Sequence, residues 1–416
     1  VSTLRRFTLI LHLLAMYRIS HFLTLSSGVI LLLLTACFNS QSVSLNNITI
    51  DLTSASGLQE IISFDVTTDN SRVHALIAGK SAENTNRVVV RYLTSEDSGE
   101  QWSTAVDVAT DSNPIAVRGN DVQIAASGDN LVAIWQTKGE LPSMGAMVSR
   151  YSHDGGKTWH AGTNPAVDNN GDQSHIDVIA DKQGFFHAVW LADPEENGYQ
   201  SLRYARSIDG GEHWQASQKL DDSTCSCCWN TLAVSPSGEL NILYRDMKPR
   251  DMALMQSSDN GVTWRRTSTV GAFNWQFDGC PHIGGGLAIG EDNALYSSVW
   301  TGLENKSGLY TLHSSDNGKT WSTPLAIGNL ASHSDIAINK QQLTVIWDER
   351  EPDGSSIFSA QSKDGGISWS TARRLSATGI MATHPRIIST QHGFLAMWTE
   401  KHNKQPSQWV VKVLDE

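Results

Sequence analysis

The sequence predicts an all-β protein, a β-propeller in which seven blades are favoured and a six-bladed arrangement is the alternative. Three observations predict it. The pattern Ser-x-Asp-x-Gly-x-x-Trp occurs six times, with Asp97, Asp154, Asp209, Asp259, Asp316 and Asp364 spaced 57, 55, 50, 57 and 48 residues apart. Apolar segments recur in the same phase at Leu131–Trp135, Phe186–Trp190, Leu240–Tyr244, Leu295–Trp300, Leu343–Trp347 and Phe394–Trp398, with Val73–Ala78 a weaker first copy. Inner strands are expected to begin near Ile61, Asp121, His175, Trp229, His282, Ser334 and His384. A unit of this length is a supersecondary module that buries its core only against neighbours, and β-rich modules of this kind form propeller blades.

In each copy Asp is suited to accept backbone N–H groups two or three residues on, and Gly supplies a positive φ at little steric cost. The Trp starts the next strand and buries a large ring. These are the parts of a hairpin turn, a folding device. The repeat resembles the Asp-box, or bacterial neuraminidase repeat, of the sialidase superfamily, and the resemblance covers nearly the whole of residues 45–416. It implies a propeller, six-bladed in most sialidases, and leaves activity open because a fold does not fix function.

The chain elements follow in order. Residues 1–36 read as a lipoprotein signal peptide, with a start at Met16 giving a leader of ordinary length. Its apolar run ends in Leu34-Thr35-Ala36-Cys37, which resembles a bacterial lipobox and makes Cys37 the expected lipidation site. The run is short for a bilayer span. Phe38 in place of Asp points to the outer membrane, facing the periplasm or the cell surface. Residues 37–44 are a lipid-attached tether, and residues 45–416 are the propeller. The last blade gets three strands from the C-terminus, ending at Trp409–Leu414, and a segment near Leu45–Leu52 is expected to supply its outer edge. Pairing the first segment with the last removes an open strand edge.

The formal charge is −12, and removing Arg5, Arg6 and Arg18 with the leader makes it −12 − 3 = −15. An acidic chain without a basic run is a poor nucleic-acid binder. The expected contacts are the membrane, through the lipid alone, and a glycan or a periplasmic protein. The oligomeric state is not readable.

Chemistry gathers where loops lead into the inner strands. Those loops carry His175, then Cys225, Cys227 and Cys228, then Cys280 and His282, then His333 and His384. Singly each is a common residue. Five successive repeats in one phase make a set. The segments Thr224-Cys-Ser-Cys-Cys-Trp-Asn230 and Gly279-Cys-Pro-His-Ile283 fall in neighbouring repeats and should touch. Together with Arg245-Asp246 and Arg250-Asp251 they resemble a subset of sialidase-like bacterial proteins with a Thr-Cys-x-Cys-Cys … Arg-Asp … Gly-Cys-Pro signature.

Three readings of the cysteines stand. Two disulfides suit an oxidising compartment, Cys225–Cys228 with Cys227–Cys280 being the least strained pairing. A metal site suits mixed thiolate and imidazole donors, copper ahead of zinc. A redox-switchable thiol pair is the third. The leading functional expectation is a soft-metal site drawn from Cys225, Cys227, Cys228, Cys280, His282, His175, His333 and His384. Arg245, Asp246, Arg250 and Asp251 would orient the ligands or contact a bound molecule. A sialidase-like glycoside hydrolase with structural disulfides is the alternative, and a non-catalytic glycan- or protein-binding scaffold the third.

The sialidase resemblance implies three carboxylate-binding arginines, a Tyr nucleophile paired with Glu, and an Asp acid/base. The Phe/Tyr-Arg-Ile-Pro motif that carries the first arginine is absent, and the nearest string is His384-Pro385-Arg386-Ile387. Arg386 joins Arg245, Asp246, Arg250 and Asp251 as a catalytic candidate on this reading. Arg118, Tyr199, Tyr310, Asp193 and Asp348 are further residues of the right type without an identifiable partner.

Overall fold

A computed structural model describes residues 49–83, 87–109, 114–116, 121–138, 145–166, 173–193 and 200–414. The lipobox, Cys37, the tether, Arg118 and Tyr199 lie outside these residues. Among the described residues no helix is long and apolar enough to cross a membrane.

The described strands form consecutive antiparallel four-stranded groups, each an up-and-down meander. The first comprises Glu60–Asp69, Arg72–Lys80, Val88–Ser95 and Val106–Ala109. Four more of the same kind follow, with inner strands Val122–Ser127, Gln173–Ala180, Thr231–Val234 and Gly285–Ile289. The sixth group starts at Ala331–Asn339 and the seventh at Met381–Thr390, and a single parallel pair, Ser355↔Met381, links them. Second strands such as Phe186–Ala192 are buried at every position, as central strands covered on both faces must be. The apolar contacts run between groups. Leu76 and Ala78 of the first pack with Val122, Ile124 and Leu131 of the second.

The seventh group has its first three strands at Met381–Thr390, Gly393–Lys401 and Gln408–Leu414. Its fourth comes from the other end of the chain. Thr49–Asp51 pairs antiparallel with Gln408–Leu414, Ile50 opposite Val411, so the expected pairing of the chain's two ends is present.

The Asp-box turns use both the Ser and the Asp of the pattern. Ser152 Oγ donates to Asp154 Oδ1 at 2.7 Å and accepts the Gly156 amide at 2.9 Å. Asp154 Oδ1 accepts the Thr158 amide at 2.9 Å, four residues on, and the carboxylate also takes a hydrogen bond from the Lys157 amide, three residues on as expected. Gly156 has φ +85°, and a Cβ there would sit 2.2 Å from the Tyr92 ring of the preceding group. Glycine is therefore required both by conformation and by the approach of the preceding group.

Candidate functional site

Inner strands converge, and their register identifies which residues face one another around the axis. The positions paired with Leu76, Ile134, Val189, Leu243, Ser298, Ile346 and Met397 on the second strands are Asp65, Gln123, Asp177, Thr231, Gly286, Asp335 and Arg386. Three of these seven are carboxylates and one is a guanidinium. Each carboxylate also crosses to the next group. Asp65 Oδ2 accepts the Ile124 amide at 2.9 Å, Asp177 Oδ2 the Leu232 amide at 2.6 Å, and Asp335 Oδ2 the Ile387 amide at 3.0 Å. Arg386 lies between Asp65, at 3.1 Å, and Asp335, at 3.7 Å. Burial pushes the Asp177 carboxyl up to about 7, the charge of Arg386 opposing. The Asp65 carboxyl is raised by burial for the same reason. This ring escaped the sequence reading, although Asp177, Asp335 and Arg386 each stand two residues beyond a histidine that it singled out.

The mouth of the ring holds a cavity lined by Trp229, His333, Asp335, Asp177, Gln123 and Arg386. Trp229 is its aromatic centre. The rings of His175, His384 and His333 pack edge-on against it at centroid distances of 5.1, 5.5 and 6.1 Å. His333 and His384 stack on one another at 3.9 Å. Asp348 Oδ2 accepts from His333 Nδ1 at 2.8 Å, from the Thr383 hydroxyl at 2.9 Å and from the His384 amide at 3.0 Å. Burial raises the Asp348 carboxyl, but the charge and hydrogen bond of His333 and the charge of His384 outweigh it, holding the group at about 2. His333, Asp348 and His384 could together hold a cation.

The backbone here is under local strain. His175, His282 and His384 have φ of 54°, 57° and 51°. Register shifts lie between Ser174 and Asp177 and between Thr383 and Arg386. A bulge at the start of an inner strand re-aims one side chain, here an imidazole, at a cost of about 1 kcal/mol or more per residue. His175 and His384 hold this conformation at the same phase, two residues before Asp177 and Arg386, whereas His282 lies four residues before Gly286 in the loop.

Cys225 and Cys228 are joined by a disulfide. A bonded pair has no thiolate to offer, so Cys225 and Cys228 leave the expected ligand set in this state. Cys227 and Cys280 are thiols, the first buried and the second exposed. The Cys227 and Cys280 sulfurs and a His282 nitrogen lie within 4.8 Å of one another. Of the eight expected ligands, Cys225 and Cys228 are in the disulfide, Cys227, Cys280 and His282 form one group, His333 and His384 form another with Asp348, and His175 lies against Trp229. Burial, together with the Cys280 thiol, pushes Cys227 up to about 12, the Arg250 charge opposing.

The Arg-Asp pairs lie inside the fold. Arg245 is 1% exposed. It donates to the carbonyls of Ile283 at 3.0 Å, Arg250 at 2.6 Å and Trp300 at 2.9 Å. Asp251 accepts the amides of Asn274 and Trp275 at 2.6 and 3.3 Å. Asp246 pairs with Arg266. Arg250 Nε donates to the Phe277 carbonyl at 3.0 Å, and its Nη1 is buried with no hydrogen-bond partner among the described residues. Arg245, Arg250 and Asp251 thereby hold the loop that presents Cys280 and His282, while Asp246 pairs outside it. Tyr310 donates to the Lys306 carbonyl at 2.8 Å, with no carboxylate partner in that contact.

No curated protein matches the chain. Among solved structures, an ulvan lyase (a polysaccharide lyase) bound to a GlcA-Rha3S saccharide superposes with a TM-score of 0.55 at 10% identity, over 85% of this chain and 93% of that one. A variant of the NanB sialidase of Streptococcus pneumoniae gives 0.51 at 12%, over 89% and 71%. A protein of unknown function from Dyadobacter fermentans gives 0.51 at 14%, over 70% and 93%. At these identities the likeness is one of fold: an all-β, sialidase-type propeller. Residues 61–277, more than half of the 416, match the BNR repeat-like domain, and the chain belongs to that family.

Proposed function

We propose that this chain is an extracytoplasmic propeller, tethered by lipid at Cys37, that binds a soft transition metal through Cys227, Cys280 and His282. The seven strand groups are read as seven blades. The observation that carries the metal is the convergence of two sulfurs and an imidazole, from two separate loops, within 4.8 Å. Two thiolates and one nitrogen make a three-coordinate set, which suits Cu(I), whereas a structural Zn²⁺ site takes four ligands. Charge favours the same ion. Cu(I) with two thiolates leaves one negative charge, and the buried Arg250 Nη1 is a cationic donor whose charge acts on Cys227. His333, His384 and His175 would then line the approach rather than complete the shell.

The test is elemental analysis of mature protein purified without chelators, with a thiol count before and after metal removal. The expected result is about one copper ion per chain and two thiols that react only after stripping. Unchanged metal content in a Cys227→Ser, Cys280→Ser double variant would remove the proposal.

A glycan at the axial mouth is the second reading. It draws on the Trp229-centred cavity and on the saccharide-acting neighbours of the same fold. A sialidase-type arginine triad has little support, since Arg245 spends its donors on carbonyls. Retention on a glycan array that is lost in Trp229→Ala, with metal content intact, would favour this reading.

A further inference from the structure

The four cysteines form a continuous path of sulfurs from the interior to the surface. Cys225 and Cys228 are bonded, and each is 1% exposed. Cys227 Sγ lies 3.8 Å from Cys225 Sγ, and the three sulfurs of Cys225, Cys227 and Cys228 fall within 4.8 Å of one another. On its other side Cys227 is within the same distance of Cys280, which is exposed. A thiol in contact with a disulfide exchanges with it when the attacking sulfur can reach either bonded one. Here the same thiol also touches a second thiol that solvent reaches.

We propose that the disulfide of this segment has two homes, Cys225–Cys228 and Cys227–Cys280, and that it moves between them by internal exchange. The small thiolate fraction of Cys227 attacks Cys225 Sγ, so the exchange quickens as pH rises. The Cys225–Cys228 bond breaks, and its electron pair leaves on Cys228, which takes up the proton lost by Cys227. The Cys280 thiolate then attacks Cys227 Sγ in the Cys225–Cys227 bridge. That bond breaks, and its pair leaves on Cys225, which takes up the proton lost by Cys280. One disulfide and two thiols are present before and after, so no outside oxidant or reductant enters. The result brings an oxidising equivalent from a buried pair to a sulfur that a small external thiol can attack. The substrate class is therefore a low-molecular-weight thiol or its disulfide, with Cys280 as the point of contact. The exchange goes beyond the metal reading, and the chelator used below makes its test independent of metal.

The experiment uses the mature wild-type protein, stripped of metal and kept with chelator, in glutathione buffers graded from reducing to oxidising. Samples are acid-quenched, free thiols are blocked, and the one-disulfide fraction is peptide-mapped. Both Cys225–Cys228 and Cys227–Cys280 are expected in that fraction, the second at about a tenth or more. A fraction holding Cys225–Cys228 alone at every poise would overturn the proposal. Reduction by glutathione is then timed in Cys280→Ser, its fold checked by near-ultraviolet dichroism. The inner disulfide should be reduced at least about tenfold more slowly than in the wild type, and an equal rate would also overturn the relay.

Discussion

Arg386 Nη2 lies 3.1 Å from Asp65 Oδ1, tying the inner strand of the last group to that of the first. Thr49–Asp51 makes the corresponding tie at the outer edge. The two ends of the chain are thus held by a backbone ladder outside and by charge at the axis. Arg386 is the register equivalent of the carboxylates it serves, so a single cation answers Asp65, Asp177 and Asp335.

Replacing Arg386 with Met keeps the volume and leaves three carboxylates around the axis without their cation. Removing one partner of a buried pair costs about 3–5 kcal/mol. Urea unfolding at pH 7.5 should show a loss of that order, narrowing toward pH 5 as the carboxyls take up protons. A loss below about 0.5 kcal/mol at both values would mean that the pair contributes nothing net.

Asp177 gives the opposite pH signature from an ordinary paired carboxylate. Burial raises its folded pKa to about 7, above the ordinary aspartate value of 3.8. Its contribution is therefore fully present below about pH 4 and is lost as pH rises through about 7. Asp177→Asn cannot ionise. Between pH 4 and pH 8 the stability difference should shift toward the variant by at most about 4 kcal/mol. The absolute difference includes a constant cost, because Asp177 accepts both the Leu232 and Val178 amides and an amide side chain has one acceptor. The shift with pH is the quantity to measure, by thermal unfolding of both proteins across the range.

The repeat was legible because each turn uses the same chemistry in the same order, and the second strands because they are apolar throughout. The histidines were legible as a set through their phase. Cysteine partnering was legible only as alternatives, since Cys225, Cys227 and Cys228 lie on one tight segment and small changes in its path decide which sulfur faces Cys280. Arg245 and Arg250 were read as groups for a ligand. Apart from the Arg250 carbonyl, the carbonyls that bind Arg245 and Arg250 come from Ile283, Trp300 and Phe277, well separated from them in the chain, and no local spacing encodes such partners. The axial carboxylates were missed for a related reason. Asp65 has no histidine before it to mark its phase, and it joins the ring only through its pairing with Leu76.

Asp348 should behave as the counterpart of Asp177. Its carboxyl is held at about 2, below the ordinary aspartate value of 3.8. The stability it contributes is present above about pH 4 and lost as pH falls through about 2. Between pH 5 and pH 2 the stability difference between the wild type and Asp348→Asn should narrow by at most about 2.5 kcal/mol, the equivalent of just under two pKa units, on top of a constant cost for the lost acceptors. Histidine NMR supplies a second readout. The His333 and His384 ring resonances should move together in the variant, because Asp348 bonds the His333 ring directly and holds His384 through its backbone amide and the Thr383 hydroxyl. Movement of neither would show that the stack is fixed by Trp229 alone.

The outer edge of the seventh group supplies the last test. Leu52 donates its amide to the Trp409 carbonyl at 2.9 Å, Trp409 donates to the Thr53 hydroxyl at 2.9 Å, and both Leu52 and Trp409 are buried in one cluster. A chain beginning at residue 54 loses the Thr49–Asp51 strand and these anchors, leaving Gln408–Leu414 with unpaired backbone groups along one side. An open apolar edge invites pairing with a second chain. Such a truncation should lower the melting temperature and shift the protein to concentration-dependent oligomers on size-exclusion chromatography. Adding the peptide of residues 45–54 in excess should restore both properties, because it binds the folded edge and not the unfolded chain. A monomeric truncation of unchanged melting temperature would show that the core of this group, rather than its outer strand, holds the two ends of the chain together.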